Sequence, residues 1–301
     1  MDRQLKKGAI LKNRYKIHMQ LGAGGFGTVY RCLDQESRKW RALKIMSRQS
    51  YNNESYIGER KTLEELQGLD GTPVLFDAFD IGKLEVLVMQ LYVGDLCSLR
   101  QKPFAPKLTC KVALELVKIV RSVHEAGFIH RDIKAANVMV PFDQKKSRLV
   151  LVDFGMTIRF SKKRRANTNS MRRIPVPCND FDFGQCPYAA RRCVEGQPAQ
   201  ETEDLEQVGL LLMELREIFP FGGTKEELLE QKTAFATDPQ QFLTLSNLFL
   251  WPILHVILAQ EYCEKPNYAK ILKTIRMNGY VLSEFGPIPI KTSKTGHPYI
   301  E

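Results

Sequence analysis

Ile129-His-Arg-Asp-Ile-Lys-Ala-Ala-Asn137, followed by Val152-Asp-Phe-Gly155, is the stretch from which the rest of the chain can be read. The first run sets a carboxylate, Asp132, two residues before an amine, Lys134, and five before a carboxamide, Asn137. An aspartate so placed can accept a proton from a hydroxyl and orient it. A lysine beside it can offset negative charge developing on a transferring phosphoryl group. Asn137 and Asp153 supply hard oxygen atoms of the kind that bind Mg²⁺ bridging phosphates. A chance His-Arg-Asp is common. The full run with its asparagine, then Asp-Phe-Gly after a short β-prone stretch, is a demanding joint spacing.

Upstream, Leu21-Gly-Ala-Gly-Gly-Phe-Gly-Thr-Val29 holds Gly22, Gly24 and Gly27 at the spacing of a phosphate-covering loop. Glycines there let backbone N–H groups approach phosphate oxygens with no Cβ in the way. Alone, the run reads as well as a glycine-rich hairpin turn. Its flanks decide, because both are strand-like, whereas a dinucleotide fingerprint leads from a strand into a helix. Residues 15–21, 28–33, 40–46 and 85–91 are short β-prone runs. Lys44 lies on the third of them, in Arg41-Ala-Leu-Lys-Ile45. A lone lysine is usually a surface residue. After the glycines and before a helix predicted over 54–66, it becomes a candidate to grip phosphates, with Glu59, Glu64 and Glu65 as candidate partners. Gly68 is the stop for that helix.

After Gly94 the texture turns helical. Thr109 is read as the cap of a helix with Val112, Leu116, Val120 and Val123 on one face and Gly127 at its end. Residues 205–219 read as a second, strongly apolar helix. The expected organisation is α+β, with a small β-rich lobe over 1–91 and a larger α-helical lobe over 92–301.

Over nearly its whole length the chain resembles eukaryotic protein kinases, and within them the casein kinase 1 superfamily, which includes the tau-tubulin and vaccinia-related kinases. Gly24-Gly-Phe-Gly27 looks like the tau-tubulin kinase loop, and Leu63-Glu-Glu-Leu-Gln-Gly68 is similar to the end of the family's αC helix. That ending makes Glu59 the partner of Lys44. Val88-Met-Gln-Leu91 matches the hinge, Tyr188-Ala-Ala190 stands where most kinases have Ala-Pro-Glu, and Glu264-Lys-Pro-Asn-Tyr268 resembles a hallmark near the domain's end. Glu203-Asp-Leu-Glu-Gln-Val-Gly209 looks like the family's Asp-Asp-Leu segment, with Asp204 as the buried carboxylate that braces the catalytic loop.

The resemblance implies a bilobal protein kinase fold and a serine/threonine kinase that moves the γ-phosphoryl group of ATP, with Mg²⁺, onto protein substrates. It implies catalytic roles for Asp132 and Lys134 and metal binding by Asn137 and Asp153. ATP would be covered by Leu21, Gly22, Ala23, Gly24, Gly25, Phe26, Gly27 and Val29. Ala42, Met89 as gatekeeper, Leu91 at the hinge and Met139 as the floor would enclose adenine, while Lys44 and Glu59 would hold phosphate. His130 would be a scaffold residue of the catalytic loop.

Departures from the family pattern bear on activity. Gln185 stands where these kinases have a threonine bonded to the catalytic aspartate and lysine, Ala135 replaces a loop proline, and Gln90 replaces a hinge glutamate. The final Asp-Trp motif is not recognisable after Phe285. None of these removes a phosphate, metal or base residue. A pseudokinase-like binding module with weak or no transfer is the alternative.

Between Met156 and Cys178 lie Arg159, Lys162, Lys163, Arg164, Arg165, Arg172 and Arg173, with no acidic residue. Such a run can be a solvated loop or, at 162–165, a nuclear-import patch. Arginine clusters also suit phosphate and carboxylate, which favours an anion site beside the cleft and acidic or phosphorylated substrates. No stacking platform interleaves with the run, so nucleic acid is a minor alternative.

The formal net charge of +10 points to acidic partners in the same way. A composition 44% hydrophobic and 26% charged is that of a globular protein with a sizeable core. Seven cysteines without any Cys-x-x-Cys read as reduced thiols, and the histidines lack ligand spacing for zinc. The N-terminus shows no signal peptide, and the greasy segment 248–259 is too short to span a bilayer. Cytoplasm or nucleus is the expected location. No feature of the sequence sets an oligomeric state.

Overall fold

The computed structural model describes residues 5–25, 27–47, 58–145, 148–164, 171–174, 186–278 and 286–300, with the side chains of 161–164 and 171–174 left aside. The first part is a six-stranded antiparallel sheet. Its strands are β1 (Ile10–Leu11), β2 (Tyr15–Gly24), β3 (Gly27–Asp34), β4 (Lys39–Ser47), β5 (Leu75–Ile81) and β6 (Leu84–Gln90), in the order β1-β2-β3-β4-β6-β5. Alternation decides which face is covered. Tyr15 and Ile17, Tyr30 and Cys32, Leu43, and Val86 with Val88 form one buried cluster. Residues two apart on a strand share a face, so Ala42 and Lys44 point together to the other side.

α1 (Glu59–Glu65) lies between β4 and β5 and buries Glu59, Thr62 and Leu63. It is described from Gly58 onward, and the first residues of the expected 54–66 helix lie outside the described residues.

Beyond the sheet the chain is helical, with small strand pairs around the loops. β7 (Gly94–Asp95), β9 (Val138–Val140) and β10 (Val150–Leu151) form a three-stranded sheet in the order β10-β9-β7. β8 (Phe128–Ile129) pairs with β11 (Ile158–Arg159), and β12 (Ser161–Arg164) with β13 (Met171–Ile174). The helices are α2 (Leu96–Leu99), α3 (Pro106–Glu125), α4 (Arg191–Val194), α5 (Glu201–Leu215), α6 (Lys225–Thr237), α7 (Trp251–Leu258) and α8 (Tyr268–Met277). The last segment forms a hairpin of β14 (Lys291–Thr292) and β15 (Pro298–Tyr299), after which Ile300 N donates to Leu99 O (2.7 Å).

Two helix starts differ from the sequence expectation. α3 begins at Pro106, not Thr109, because proline at the first helical turn already has the required φ and lacks only an N–H that would be unpaired. Thr109 is inside the helix, its hydroxyl donating to Ala105 O (3.2 Å). Gly127 follows the end of α3 at φ +94°, the left-handed conformation favoured after a helix. α5 spans Glu201–Leu215 rather than 205–219, since Glu203 at its third position accepts from Gln200 N (2.5 Å) and caps the end.

α5 is buried on nearly every side, with Leu205, Val208, Leu210, Leu211, Leu212, Met213 and Leu215 all in the core. A helix apolar all round is stable only when surrounded. Here α3, α4 and α7 pack on it. Each of its leucines removed from water contributes about 1.5–3 kcal/mol. The 248–259 segment falls at the end of a 3₁₀ turn (Leu245–Leu250) and in α7. Among the described residues no helix is long and apolar enough to cross a membrane.

Candidate functional site

Residues 130–137 are fixed from below by α5. Asp204 is fully buried and accepts from His130 N (2.7 Å) and Arg131 N (2.8 Å). His124 of α3 approaches the same carboxylate through Nε2 (2.8 Å), and its Nδ1 meets the Tyr268 hydroxyl of α8. Burial opposes ionisation of Asp204, but His124 and the backbone donors outweigh it and hold the carboxyl below its usual range. A charge placed there satisfies backbone donors that water cannot reach. His124, like His18, His255 and His297, reads from sequence as a structural or surface residue, and here it is structural. Nothing in its local sequence announces that it orients the brace, because its partner lies on another helix.

His130 completes the scaffold. Its Nδ1 accepts from Asp132 N (3.2 Å), its Nε2 donates to Val152 O (3.1 Å), and its ring meets the Phe154 ring edge-on at 4.7 Å. Burial pushes its pKa down, which favours the neutral ring that this pairing requires. Arg131 (φ +74°) and Asp153 (φ +64°) both have left-handed backbones. Such conformations cost energy in non-glycine residues and persist where the surroundings impose them.

On this frame the acidic and basic groups converge. Lys134 Nζ donates to both carboxylate oxygens of Asp132 (3.0 and 2.8 Å). Asn137 Nδ2 donates to Asp132 O and Oδ2, each at 2.8 Å. Across the cleft, Lys44 Nζ lies 2.6 Å from Glu59 Oε2 and 2.7 Å from Asp153 Oδ1. Glu64 and Glu65, the other candidates on α1, are exposed and bonded to Arg60 and Arg159 respectively. Burial works against the Lys44 ammonium, yet Glu59 and Asp153 more than compensate and its pKa is raised. Burial likewise opposes the Asp153 carboxylate, but Lys44 holds its pKa down; burial pushes the enclosed Glu59 up while Lys44 pulls against it.

The sheet carries the remaining cleft residues on the Lys44 face. Val29 is opposite Lys44, and Met89 is opposite Ala42. Met139, on β9, is opposite Val150. Val29, Ala42, Met89, Leu91 and Met139 are half-buried. Leu21, Gly22, Ala23, Gly24 and Gly25 are exposed, and a Cβ built at Gly22, Gly24 or Gly25 would meet nothing within 4 Å. Gly27 is different. It has φ +123°, and a Cβ there would fall 2.2 Å from Ile45 O, so the hairpin closes only with glycine. Phe26 lies outside the described residues.

The donor set fits a nucleotide-bound divalent cation. With Asn137 Nδ2 committed to Asp132, its Oδ1 is the atom left to face a cation, alongside the Asp153 carboxylate. Among the described residues no three His, Cys, Asp or Glu side chains cluster as a self-sufficient metal site. Two oxygen donors suit Mg²⁺ that takes its other ligands from phosphate and water.

The basic run divides. Arg159 pairs with Glu65 of α1 and lies 4.9 Å over the Phe128 ring. Lys162, Lys163, Arg164, Arg172 and Arg173 are placed by backbone alone, with Lys162 opposite Arg173 and Lys163 opposite Arg172 on the β12–β13 hairpin. Arg165 and Gln185 lie outside the described residues.

Compared with known families, residues 15–255 match the model of the protein kinase domain.

Proposed function

The chain belongs to the protein kinase domain family, and on that premise we propose that it is an active serine/threonine kinase of casein kinase 1 type, acting on acidic or phospho-primed proteins. Family membership implies ATP use, in general with Mg²⁺, and protein substrates. The observation that carries the reading is the joint placement of Lys44, Glu59 and Asp153 on one side of the cleft and Asp132, Lys134 and Asn137 on the other. In this reading the lobes are residues 1–91 and 92–301, and the protein works in the cytoplasm or nucleus.

Asp132 would orient the substrate hydroxyl and take its proton, with Asn137 and Lys134 fixing the carboxylate from two sides. Lys134 would stabilise charge on the transferring phosphoryl. Lys44, kept protonated by its two carboxylates, would hold the non-transferred phosphates. Asn137 and Asp153 would hold Mg²⁺, which supplies neutralising charge when bound.

Support for acidic or primed substrates comes from the hairpin register, which sets cation opposite cation at two rungs. Like charges directly opposite repel, so an anion lying against that ribbon would relieve the repulsion.

Purified protein, labelled ATP, Mg²⁺ and an acidic protein such as casein give the direct test. Label on serine or threonine supports the proposal. ATP bound but never transferred would favour the binding-module alternative. A peptide series with and without a phosphate near the acceptor then tests substrate class.

A further inference from the structure

α5 carries a polar stripe through an otherwise apolar helix. Asp204, Gln207 and Glu214 are three and seven residues apart, which places them on one side of the helix. Each meets successive backbone groups of the catalytic loop. Asp204 takes His130 N and Arg131 N. Gln207 Oε1 accepts from Ile133 N (3.0 Å), and its Nε2 donates to Arg131 O (2.9 Å). Glu214 Oε2 accepts from Ala135 N (3.4 Å).

One of the three also reaches Tyr188, in the segment just before α4. Gln207 Nε2 donates its second hydrogen to Tyr188 O (3.1 Å). The tyrosine ring is stacked on Phe219 at 4.8 Å. Gln207 is 2% exposed, so neither of its amide groups can exchange these partners for water. Both of its N–H donors and its oxygen are used within the site, which leaves one preferred orientation.

We infer that Gln207 is a positioning residue that locks the 186–190 segment to the catalytic loop, setting where a peptide acceptor meets Asp132. The inference rests on the kinase reading above for its consequence on catalysis, but the lock itself is a structural statement. Removing Asp204 would be expected to disturb the loop alone, whereas Gln207 is the side chain that touches both partners.

The test uses the full chain with Gln207→Met, a side chain of similar size without hydrogen bonds. Backbone hydrogen exchange, ATP affinity and peptide kinetics are measured together. Exchange should accelerate by about tenfold or more at the Ile133 amide and across 186–190, the scale of one buried hydrogen bond lost. ATP affinity should stay at the wild-type value. Peptide kcat/KM should fall by about tenfold or more, mainly through KM, because the acceptor is misplaced while the nucleotide is not. Gln207→Asn, which keeps the amide but shortens its reach, should speed exchange at the same positions to a smaller extent.

Wild-type exchange and wild-type peptide KM in Gln207→Met would overturn the inference. If that variant fails to fold, Gln207→Asn decides: unchanged exchange at Ile133 and across 186–190 overturns the lock, and faster exchange at both upholds it. Wild-type protein that transfers no phosphate would overturn the kinase reading only, since the exchange arms still report on the lock.

Discussion

Replacing Glu59 with glutamine leaves the Lys44 ammonium in the cleft with a single carboxylate. Lys44 and Glu59 are 6% and 2% exposed as side chains, and Asp153 is 25% exposed. Removing one partner of a buried pair costs about 3–5 kcal/mol, most of it the penalty of a charge left without compensation. Asp153 remains 2.7 Å from the ammonium, so the lower end of that range applies here. A loss of ~3 kcal/mol in transition-state stabilisation is about a hundredfold in kcat/KM. Lys44→Met should cost a similar amount, because Glu59 is then buried without its cation. The double variant removes both charges together, so it should lose about 3–4 kcal/mol rather than about 6, giving a coupling of ~2–3 kcal/mol. Steady-state kinetics on the four proteins, with nucleotide affinity measured alongside, read this directly. Single losses that add to the double within about 0.5 kcal/mol would show that the two side chains act independently. In that case their proximity would have no part in holding nucleotide.

Asp153→Asn should abolish transfer while leaving the fold intact, with a lowered melting temperature from the weakened Lys44 pair; full turnover at saturating Mg²⁺ would refute the role. Gly27→Ala should destabilise by ~2 kcal/mol or more by thermal unfolding, because the new Cβ must displace Ile45 O and adopt φ +123°. Glu203 gives a pH signature. Burial raises its pKa to about 8, with Glu206 adding to the shift and Arg192 opposing it. A raised folded pKa means stability is greatest below the unfolded carboxyl value and is lost as pH rises through about 8. Glu203→Gln keeps the cap and removes the titration, so its advantage in melting temperature should grow from pH 6 to 9; parallel curves would show that Glu203 is ionised throughout. Neutralising Lys162 to Arg165, or Arg172 with Arg173, should raise KM for phosphorylated peptides and lessen its salt dependence, with little change for a neutral unprimed peptide.

The catalytic-loop run and Asp-Phe-Gly were legible because their chemistry is local: Asp132, Lys134 and Asn137 meet one another within six residues of chain. Four of the six strands of the sheet were legible as β-prone runs, 28–33, 40–46 and 85–91 within a residue or so, whereas the short β1 and the half-exposed β5 were not read. Helix starts were harder. Thr109 looked like a cap on residue preference, yet Pro106 three residues earlier already provided a pre-set φ and won. At α5 the signal was Glu203 rather than its apolar run, and glutamine is not a preferred cap that would draw notice to Gln200. The choice among Glu59, Glu64 and Glu65 turned on resemblance, since helical spacing alone does not say which face meets Lys44. His124 and Gln207 were invisible for a different reason. Their partners are brought to them by packing of α3, α5 and α8, and no local pattern records that a buried polar side chain will find a backbone donor in a remote loop.

The two sides of the cleft are therefore held by different physics. On the sheet side, Lys44 is positioned by charge: two carboxylates from α1 and from Asp153, within 2.7 Å, in surroundings that screen them weakly. Such an arrangement is strong but depends on every partner remaining ionised and in place, so a shift of α1 would be felt at once by the nucleotide site. On the helical side, the catalytic loop is positioned by backbone accounting. The N–H groups of residues 130, 131, 133 and 135 are each met by a side chain of α5, and Asp132 N by His130. Buried donors of this kind have no alternative partner, so the loop's conformation is fixed by the core and not by what occupies the cleft. It follows that Asp132, the proposed base, should be the least movable element of the site and the Lys44 pair the most adjustable. A perturbation of α1, or of Arg159, which links it to β11 through Glu65, should therefore reach Lys44 before it reaches residues 130–137.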